Sequence, residues 1–274
     1  MLRKRQSAAD WSYDVAIGVT AAIALAILIG PVLVVLATSL TEDRSLRFPP
    51  TGLSFQWYRE LFDASRSYPI HRAATNSLTV AAWATAAAVL LGTMAALALA
   101  RSRARWARSL DMVFMSPMIL PGLAFGLAAL MYFTFLGFRP SLQLIMIGHA
   151  LVIVPFVLRT SSASLSQLDS ALLESSASLG ASWFYTLRRV TLPIIAPGIV
   201  AGAFLAFMAS IDNVPISLFL SGPRSDMLPI RMWGMMESTL DVRVAAVSGV
   251  LIGSVLLLML LMERLVGLTR RIRG

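Results

Sequence analysis

Six apolar stretches, each near or above the length that crosses a bilayer, constrain this chain before anything else does. A helix needs about 20 consecutive apolar residues to pass roughly 30 Å of hydrocarbon at about 1.5 Å per residue. The stretches are Val15–Ala37, Ala73–Ala100, Met112–Leu136, Ser141–Leu158, Ile194–Leu220 and Val244–Met262, the fourth being the shortest. Composition agrees, with 57% hydrophobic and 14% charged residues, against about 25% charged in a soluble domain. The expected fold is all-α and integral to the membrane, with six transmembrane helices, and the 274 residues are read as one domain.

The chain carries a formal charge of +9, with a single lysine, Lys4, among its 23 basic residues. A strongly basic chain raises nucleic acid as a partner, but the placement argues against it. Arg3, Lys4 and Arg5 precede the first span; Arg101, Arg103, Arg105 and Arg108 separate the second from the third. Arg188 and Arg189 lie between the fourth and fifth, and Arg264, Arg270, Arg271 and Arg273 follow the sixth. These segments share one side of the membrane, which the positive-inside rule makes cytoplasmic. The opposite segments are nearly balanced: five arginines against four acids in Ser39–Arg72, and three against three in Ser221–Arg243. Both termini are therefore expected in the cytoplasm, with the bilayer rather than nucleic acid as the surrounding partner.

The chain has no cysteine, which excludes disulfides, thiolate metal sites and cysteine catalysis. Val15–Ala37 exceeds the 7–15 apolar residues usual in a signal peptide, so it reads as an uncleaved span. His149 has no second intramembrane histidine to share a metal with, and a buried hydrogen bond is its expected role.

Between spans, Phe55–Phe62 (FQWYRELF) predicts a short amphipathic helix, an aromatic interface anchor. The segment IRMWGMMESTL within Ser221–Arg243 predicts another. The second span is rich in alanine, which suits close helix packing, and Asn76 near its outer end reads as an interhelical hydrogen bond. The third and fifth spans open alike. Pro117–Gly122 leads to Gly126 and Pro193–Gly198 leads to Gly202, both reading PxxxPGxxxG, 76 residues apart. This predicts two helices entered in their first turns by proline and packed through glycine. Gly249 and Gly253 repeat the glycine spacing in the sixth span.

One long segment past the first quarter does not suit a membrane: residues 165–193, ending in ESSASLGASWFYTLRRVTLP. Leu165, Leu168, Leu172 and Leu179 predict one helix over Ser164–Leu179. Gly180 is a natural stop, because a positive φ costs glycine nothing. Ser182 predicts the cap of a second helix, whose apolar face is Trp183, Phe184, Leu187 and Val190. Arg188 and Arg189 suit that helix's C-terminal end.

This segment resembles the EAA loop of permease subunits in binding-protein-dependent ABC importers: EAA, three residues, Gly, nine residues, then Ile-x-Leu-Pro. Here Glu174-Ser175-Ser176 is followed by Ala177-Ser178-Leu179, Gly180, nine residues and Val190-Thr191-Leu192-Pro193. Serines replace both alanines and valine replaces isoleucine. FPPTGLSFQWYRELF, the NSL at 76–78, PMILPG and DNVPISLFLSGPRSDMLPIRMW extend the resemblance to spermidine/putrescine-type permeases. Permeases for opines, aminophosphonates, thiamine and ferric iron look related. The resemblance implies the type I ABC importer permease architecture in the bacterial inner membrane. It implies that Glu174, Ser175, Ser176, Ala177, Gly180 and Pro193 couple to a cytoplasmic ABC ATPase dimer. It further implies a second permease subunit, a distinct homologue, and a periplasmic or extracellular binding protein for a polyamine or related small cation.

The residues support a missing engine independently. A P-loop needs lysine within GxxxxGK[ST], and no such motif surrounds Lys4. If ATP drives transport, as the resemblance implies, ATP and magnesium are expected on a separate chain, with no cofactor, metal or catalytic residue in this one. Ser210-Ile211-Asp212-Asn213 is the other sharp feature. An aspartate at mid-helix costs roughly 2.5–3.5 kcal/mol on insertion scales, so it is expected either to face a water-filled path or to pair with Arg224, Arg231 or a partner subunit, unless it lies near the outer surface. The following Val214-Pro215 is expected to loosen the helix. Asp212, Asn213, Ser210 and Asn76 are the candidate lining residues. The competing class is an ion-coupled carrier working as an oligomer, which would not need the loop spacing. An intramembrane hydrolase needs a second carboxylate beside Asp212 or a serine elbow beside His149, and neither is present.

Overall fold

The computed structural model describes residues 8–102 and 104–272. Arg3, Lys4, Arg5, Arg103 and Arg273 of the basic clusters lie outside the described residues. Helices account for nearly all of the regular structure, and an isolated antiparallel bridge joins Thr41 to Leu53. Five helical stretches are long and apolar enough to cross a membrane: Tyr13–Ser39, Ala64–Arg101, Leu142–Leu165, Trp183–Ile211 and Arg243–Arg264. A bent pair of helices supplies the sixth.

The described residues group into two compact units. The first comprises residues 8–67 and Met235–Val255. Here the long helix α1 (Ala8–Ser39) is exposed along most of its apolar length, and its last residues turn into a loop that leads to α2 (Gln56–Phe62). The amphipathic helix expected at Phe55–Phe62 is therefore present. Its Tyr58 packs on the end of α1: Tyr58 Oη lies 2.8 Å from Ser39 Oγ, which donates to the Leu36 carbonyl at 2.7 Å. A Cβ at Gly249 would collide with that phenol, so the first glycine of the third GxxxG makes room for an aromatic ring. Gly253 meets nothing.

The second unit comprises Tyr68–Gly234 and residues 256–272. Its centre is α6 (Leu142–Leu165), capped by Ser141 Oγ accepting from the Leu144 N–H at 3.4 Å. Ile145, His149, Ile153, Val157 and Leu158 of α6 are almost wholly buried. On it pack α4 (Arg105–Ile119) and α9 (Leu192–Ile211). The second span is α3 (Ala64–Arg101), kinked at Ser67. Its alanines at 73, 81, 84, 88 and 96 are buried, as small residues facing a helix partner should be. In lipid such burial gains packing rather than escape from water, which is why shape matters here. A Cβ at Gly202 of α9 would overlap Thr160 Oγ1 and come within 2.9 Å of the Val157 Cα.

Three expectations need correction. The third span is not one helix. α4 stops at Ile119 and α5 (Gly122–Phe135) leaves at 104°. Pro121 is the cause: the residue before proline is driven out of the α region, and Leu120 is extended at φ −73°, ψ 140°. The fourth span runs on to Leu165, seven residues past the expected end. The fifth, expected only to loosen at Val214-Pro215, breaks outright just before that pair, at Asp212-Asn213, and resumes as the short α10 (Val214–Leu220).

The two PxxxPGxxxG motifs therefore play different parts. The first straddles a break, with Pro117 near the end of α4 and Pro121 capping α5. The second lies inside a continuous helix. Their glycines do share close packing. A Cβ at Gly126 would stand 2.7 Å from the Pro215 carbonyl oxygen on α10, while Gly202 faces α6.

Candidate functional site: the helical loop and the broken fifth span

The expected helix over Ser164–Leu179 is two elements. α6 ends at Leu165, and after a turn α7 (Ser170–Ser178) begins at Asp169, whose carboxylate accepts from the Ala171 N–H at 2.9 Å. Aspartate here caps the helix instead of lying on its side. At the other end Gly180 takes φ +77°. Its N–H bonds the Ala177 carbonyl at 2.9 Å and the Ala181 N–H reaches back to Ser176 at 3.1 Å. These two bonds satisfy the last carbonyls in a Schellman turn. Ser182 then caps α8 (Trp183–Thr186), accepting from the Tyr185 N–H at 3.3 Å, as expected.

The inner face of α8 is not the aromatic one. Thr186 is buried and its hydroxyl lies 2.8 Å from Ser176 Oγ, tying α8 to α7. Trp183, Phe184 and Tyr185 are exposed, as is Leu179 at 87%. Arg101 at the end of α3 covers the Trp183 ring at 5.0 Å, a cation–π contact. Between the two helices runs a groove of about 760 Å³, lined by Leu172, Ser175, Ser176, Leu179, Gly180 and Tyr185 among others. Glu174 is exposed and makes no ion pair among the described residues. A small polar element that displays this much apolar surface has the character of a docking surface.

Arg188 and Arg189 do not end α8. A π-helical turn, Leu187–Thr191, carries the chain directly into α9. The Leu192 N–H bonds the Leu187 carbonyl, five residues back. Pro193, next in line, has no N–H to offer, and the widened turn falls where the regular ladder would fail. Trp183–Ile211 is thus an unbroken helical rod of 29 residues, about 40 Å long.

At its far end stands the break. Asp212 caps α9, exposed, without an ion pair or side-chain hydrogen bond among the described residues. It lies at a helix end, not at mid-helix, and neither Arg224 nor Arg231 pairs with it. Asn213 caps α10, its side-chain oxygen accepting from the Ile216 N–H at 3.1 Å. Ser210 is buried with its hydroxyl 2.8 Å from His149 Nδ1. The other ring nitrogen lies 3.1 Å from Ser217 Oγ. One imidazole therefore holds both halves of the broken span, consistent with the buried hydrogen bond expected of it. Ser217 was not singled out from sequence, although its seven-residue spacing from Ser210 would place both near one face of an unbroken helix.

Asn76 bonds the segment that follows α10, not the break itself. Its amide donates to the Asp226 carbonyl at 2.9 Å, and the neighbouring Ser77 hydroxyl accepts from the Leu228 N–H at 2.8 Å. Together they pin the segment that follows α10 to α3 and start α11 (Leu228–Thr239). No group of three metal-ligating side chains occurs among the described residues.

Residues 88–271 match the family described as the binding-protein-dependent transport system inner membrane component. This chain belongs to that family. The permease is 29% identical to the spermidine/putrescine transport system permease protein PotC of Haemophilus influenzae over 222 residues, 81% of this chain and 85% of that one. It is 31% identical to the putrescine transport system permease protein PotI of Escherichia coli over 211 residues, 74% of each chain. The fold is similar to a solved bacterial alginate ABC transporter in complex with its alginate-pentasaccharide-bound periplasmic protein, with a TM-score of 0.71. That match is 16% identical and covers 96% of this chain and 95% of the other. The permease is a multi-pass protein of the bacterial inner membrane and a transport component rather than an enzyme.

Proposed function

We propose that this permease forms half of the translocation path of an ATP-driven importer for polyamines or related small organic cations. An external binding protein delivers the substrate, and the second half is a distinct homologous permease. The observation that carries the reading is mechanical: the α7–α8 element, tied by Ser176 and Thr186, continues without interruption into α9 and ends at the Asp212 break.

In this reading both termini face the cytoplasm and α7 is the coupling helix, seated in a groove of a cytoplasmic ABC ATPase dimer. Exposed Glu174 pairs with a basic group there, Ser175 and Ala177 give close approach, and Gly180 holds the turn. Pro193 marks the hand-over from loop to span. Closure of the ATPase dimer pushes the element, and the rod from Trp183 to Ile211 transmits the displacement to the break. There the free Asp212 carboxylate offers a cation its counter-charge. Ser210 and Asn213 hold the break in shape, and Asn76 steadies the outer segment beside it. The polyamine assignment is supported by the substrates named for the relatives PotC and PotI.

The test is a mild-detergent purification of the tagged chain from native membranes, with mass spectrometry of what accompanies it and uptake of labelled putrescine by the reconstituted assembly. An ATPase with a P-loop, a second permease and ATP-dependent uptake that needs the binding protein are expected. Recovery of the chain alone, with uptake driven by an ion gradient, would overturn the reading in favour of a carrier.

A further inference from the structure

Where α3, α4 and α6 meet, two cavities lie side by side. The first, of about 610 Å³, is almost wholly apolar; Leu91, Met94, Ala98, Leu110 and Phe114 are among its walls. The second, of about 620 Å³, is polar, with Ser102, Arg108, Asp111, Arg159 and Ser162. They share Leu99, and α4 lines both: Trp106 and Leu110 face one, Ala107 and Asp111 the other.

The charges in the polar part do not cancel. Arg159 pairs with Asp111 at 3.3 Å and lays its Nε against the Met115 sulfur at 3.1 Å, yet its side chain stays 57% exposed. Arg108 is exposed and has no ion pair among the described residues. One positive charge is left over, flanked by two hydroxyls. The apolar part has the depth of a lipid leaflet. From Leu91 to Leu99 the helix rises about 12 Å, against roughly 15 Å for half the hydrocarbon core. The polar pocket adjoins this cleft at Leu99, and exposed Trp106, on the wall of the apolar part and next in sequence to Ala107 of the polar part, is a residue type favoured at the membrane–water boundary.

We propose that this two-part cavity binds an anionic glycerophospholipid, its phosphate on Arg108 and Arg159 and one acyl chain in the cleft between α3 and α4. A free anion would leave the apolar part empty, and a zwitterionic lipid would bring a phosphate but no net charge to offset the positive charge left over in the polar part. Basic pockets between membrane helices suit such headgroups. The inference is independent of the transported substrate and needs only that the chain lies in a bilayer.

Native mass spectrometry of the full chain in detergent tests it, with phosphatidylglycerol and phosphatidylcholine of the same acyl chains added in turn. Phosphatidylglycerol is expected to be retained in preference. Arg108→Gln, at an exposed position outside the Arg159–Asp111 pair, is expected to lower that retention about fivefold, the worth of one basic residue at an anionic surface. Ala98→Phe, which fills the cleft, is expected to lower retention of both lipids. Equal retention of the two lipids by the wild type, or no effect of either variant, would overturn the proposal. Displacement of the lipid by excess inorganic phosphate, with Ala98→Phe silent, would make the pocket a simple anion site. A photo-crosslinking residue at position 98 that captures a second membrane protein in native membranes instead of lipid would also overturn it.

Discussion

His149 and Ser217 meet across the break in the fifth span, Nε2 to Oγ at 3.1 Å, while the same ring reaches Ser210 on the other side at 2.8 Å. A neutral imidazole donates at one nitrogen and accepts at the other, so one serine must give its proton and the other receive one. The ring is fully buried, and its removal leaves two buried hydroxyls to find partners. In water-soluble cores each such loss costs about 1–3 kcal/mol. In membranes the unfolded reference also finds partners, and single pairs average about 0.6 kcal/mol. The membrane value governs here, so His149→Leu is expected to cost about 1–2 kcal/mol, read as a lower melting temperature in detergent. A double-mutant cycle with Ser217→Ala is expected to return a coupling near 0.6 kcal/mol. Additive effects would show that the ring and Ser217 do not cooperate.

Gly180 separates strain from space. Nothing lies within 4 Å of a Cβ added there, yet its φ is +77°. Gly180→Val is therefore expected to cost about 1–2 kcal/mol locally, from backbone strain alone. Gly180→Asn is expected to cost less, because asparagine tolerates this conformation. Hydrogen exchange at the Gly180 and Ala181 amides reads the Schellman turn directly: faster exchange in the valine variant and near-native exchange in the asparagine one. Equal exchange in both would mean that the turn is held by something other than glycine.

Much of this architecture is legible residue by residue, and the failures share a cause. Ser182 and Gly180 act through bonds to their immediate neighbours, so their roles follow from local chemistry. Alanines in the second span and the glycines at 126 and 202 follow from the need for close approach. The PxxxPG motifs mislead because a proline's effect depends on whether the chain must continue or turn. Pro121 breaks its helix, and Gly126 beyond it nests on the Pro215 carbonyl. Pro193 follows a π-helical turn that absorbs its missing donor. Thr186 escapes notice because its burial depends on a serine ten residues earlier. The loop residues and the break can be placed by geometry; neither Glu174 nor Asp212 has an ion pair among the described residues that would indicate its role.

Glu174 is exposed, so a charge reversal there acts on an external surface. Glu174→Arg is expected to leave melting within about 0.5 kcal/mol of wild type, as for an ordinary surface change. In the assembled transporter it is expected to abolish substrate-stimulated ATP hydrolysis and uptake together. A compensating acidic substitution on the ATPase surface that restores both would locate the contact. Full uptake by the single variant would remove Glu174 from the coupling surface.

Asp212 sits at the junction of α9 and α10, exposed and unpaired by any cation among the described residues. A structural ion pair would stabilise the fold; a lining carboxylate would stabilise the passing cation. The two differ in what Asp212→Asn should change. The asparagine keeps the shape and removes the charge, and Asp212 has no ion pair or side-chain hydrogen bond among the described residues to lose, so melting is expected to be unchanged. Uptake of a divalent or trivalent polyamine is expected to fall about tenfold, the equivalent of about 1.4 kcal/mol at the barrier, and binding-protein docking is expected to remain intact. Because one charge is removed, the loss should be larger for the trivalent than for the divalent substrate and should shrink as salt screens the path. An equal loss for both substrates at all ionic strengths, or a lower melting temperature, would return Asp212 to a structural role at the break.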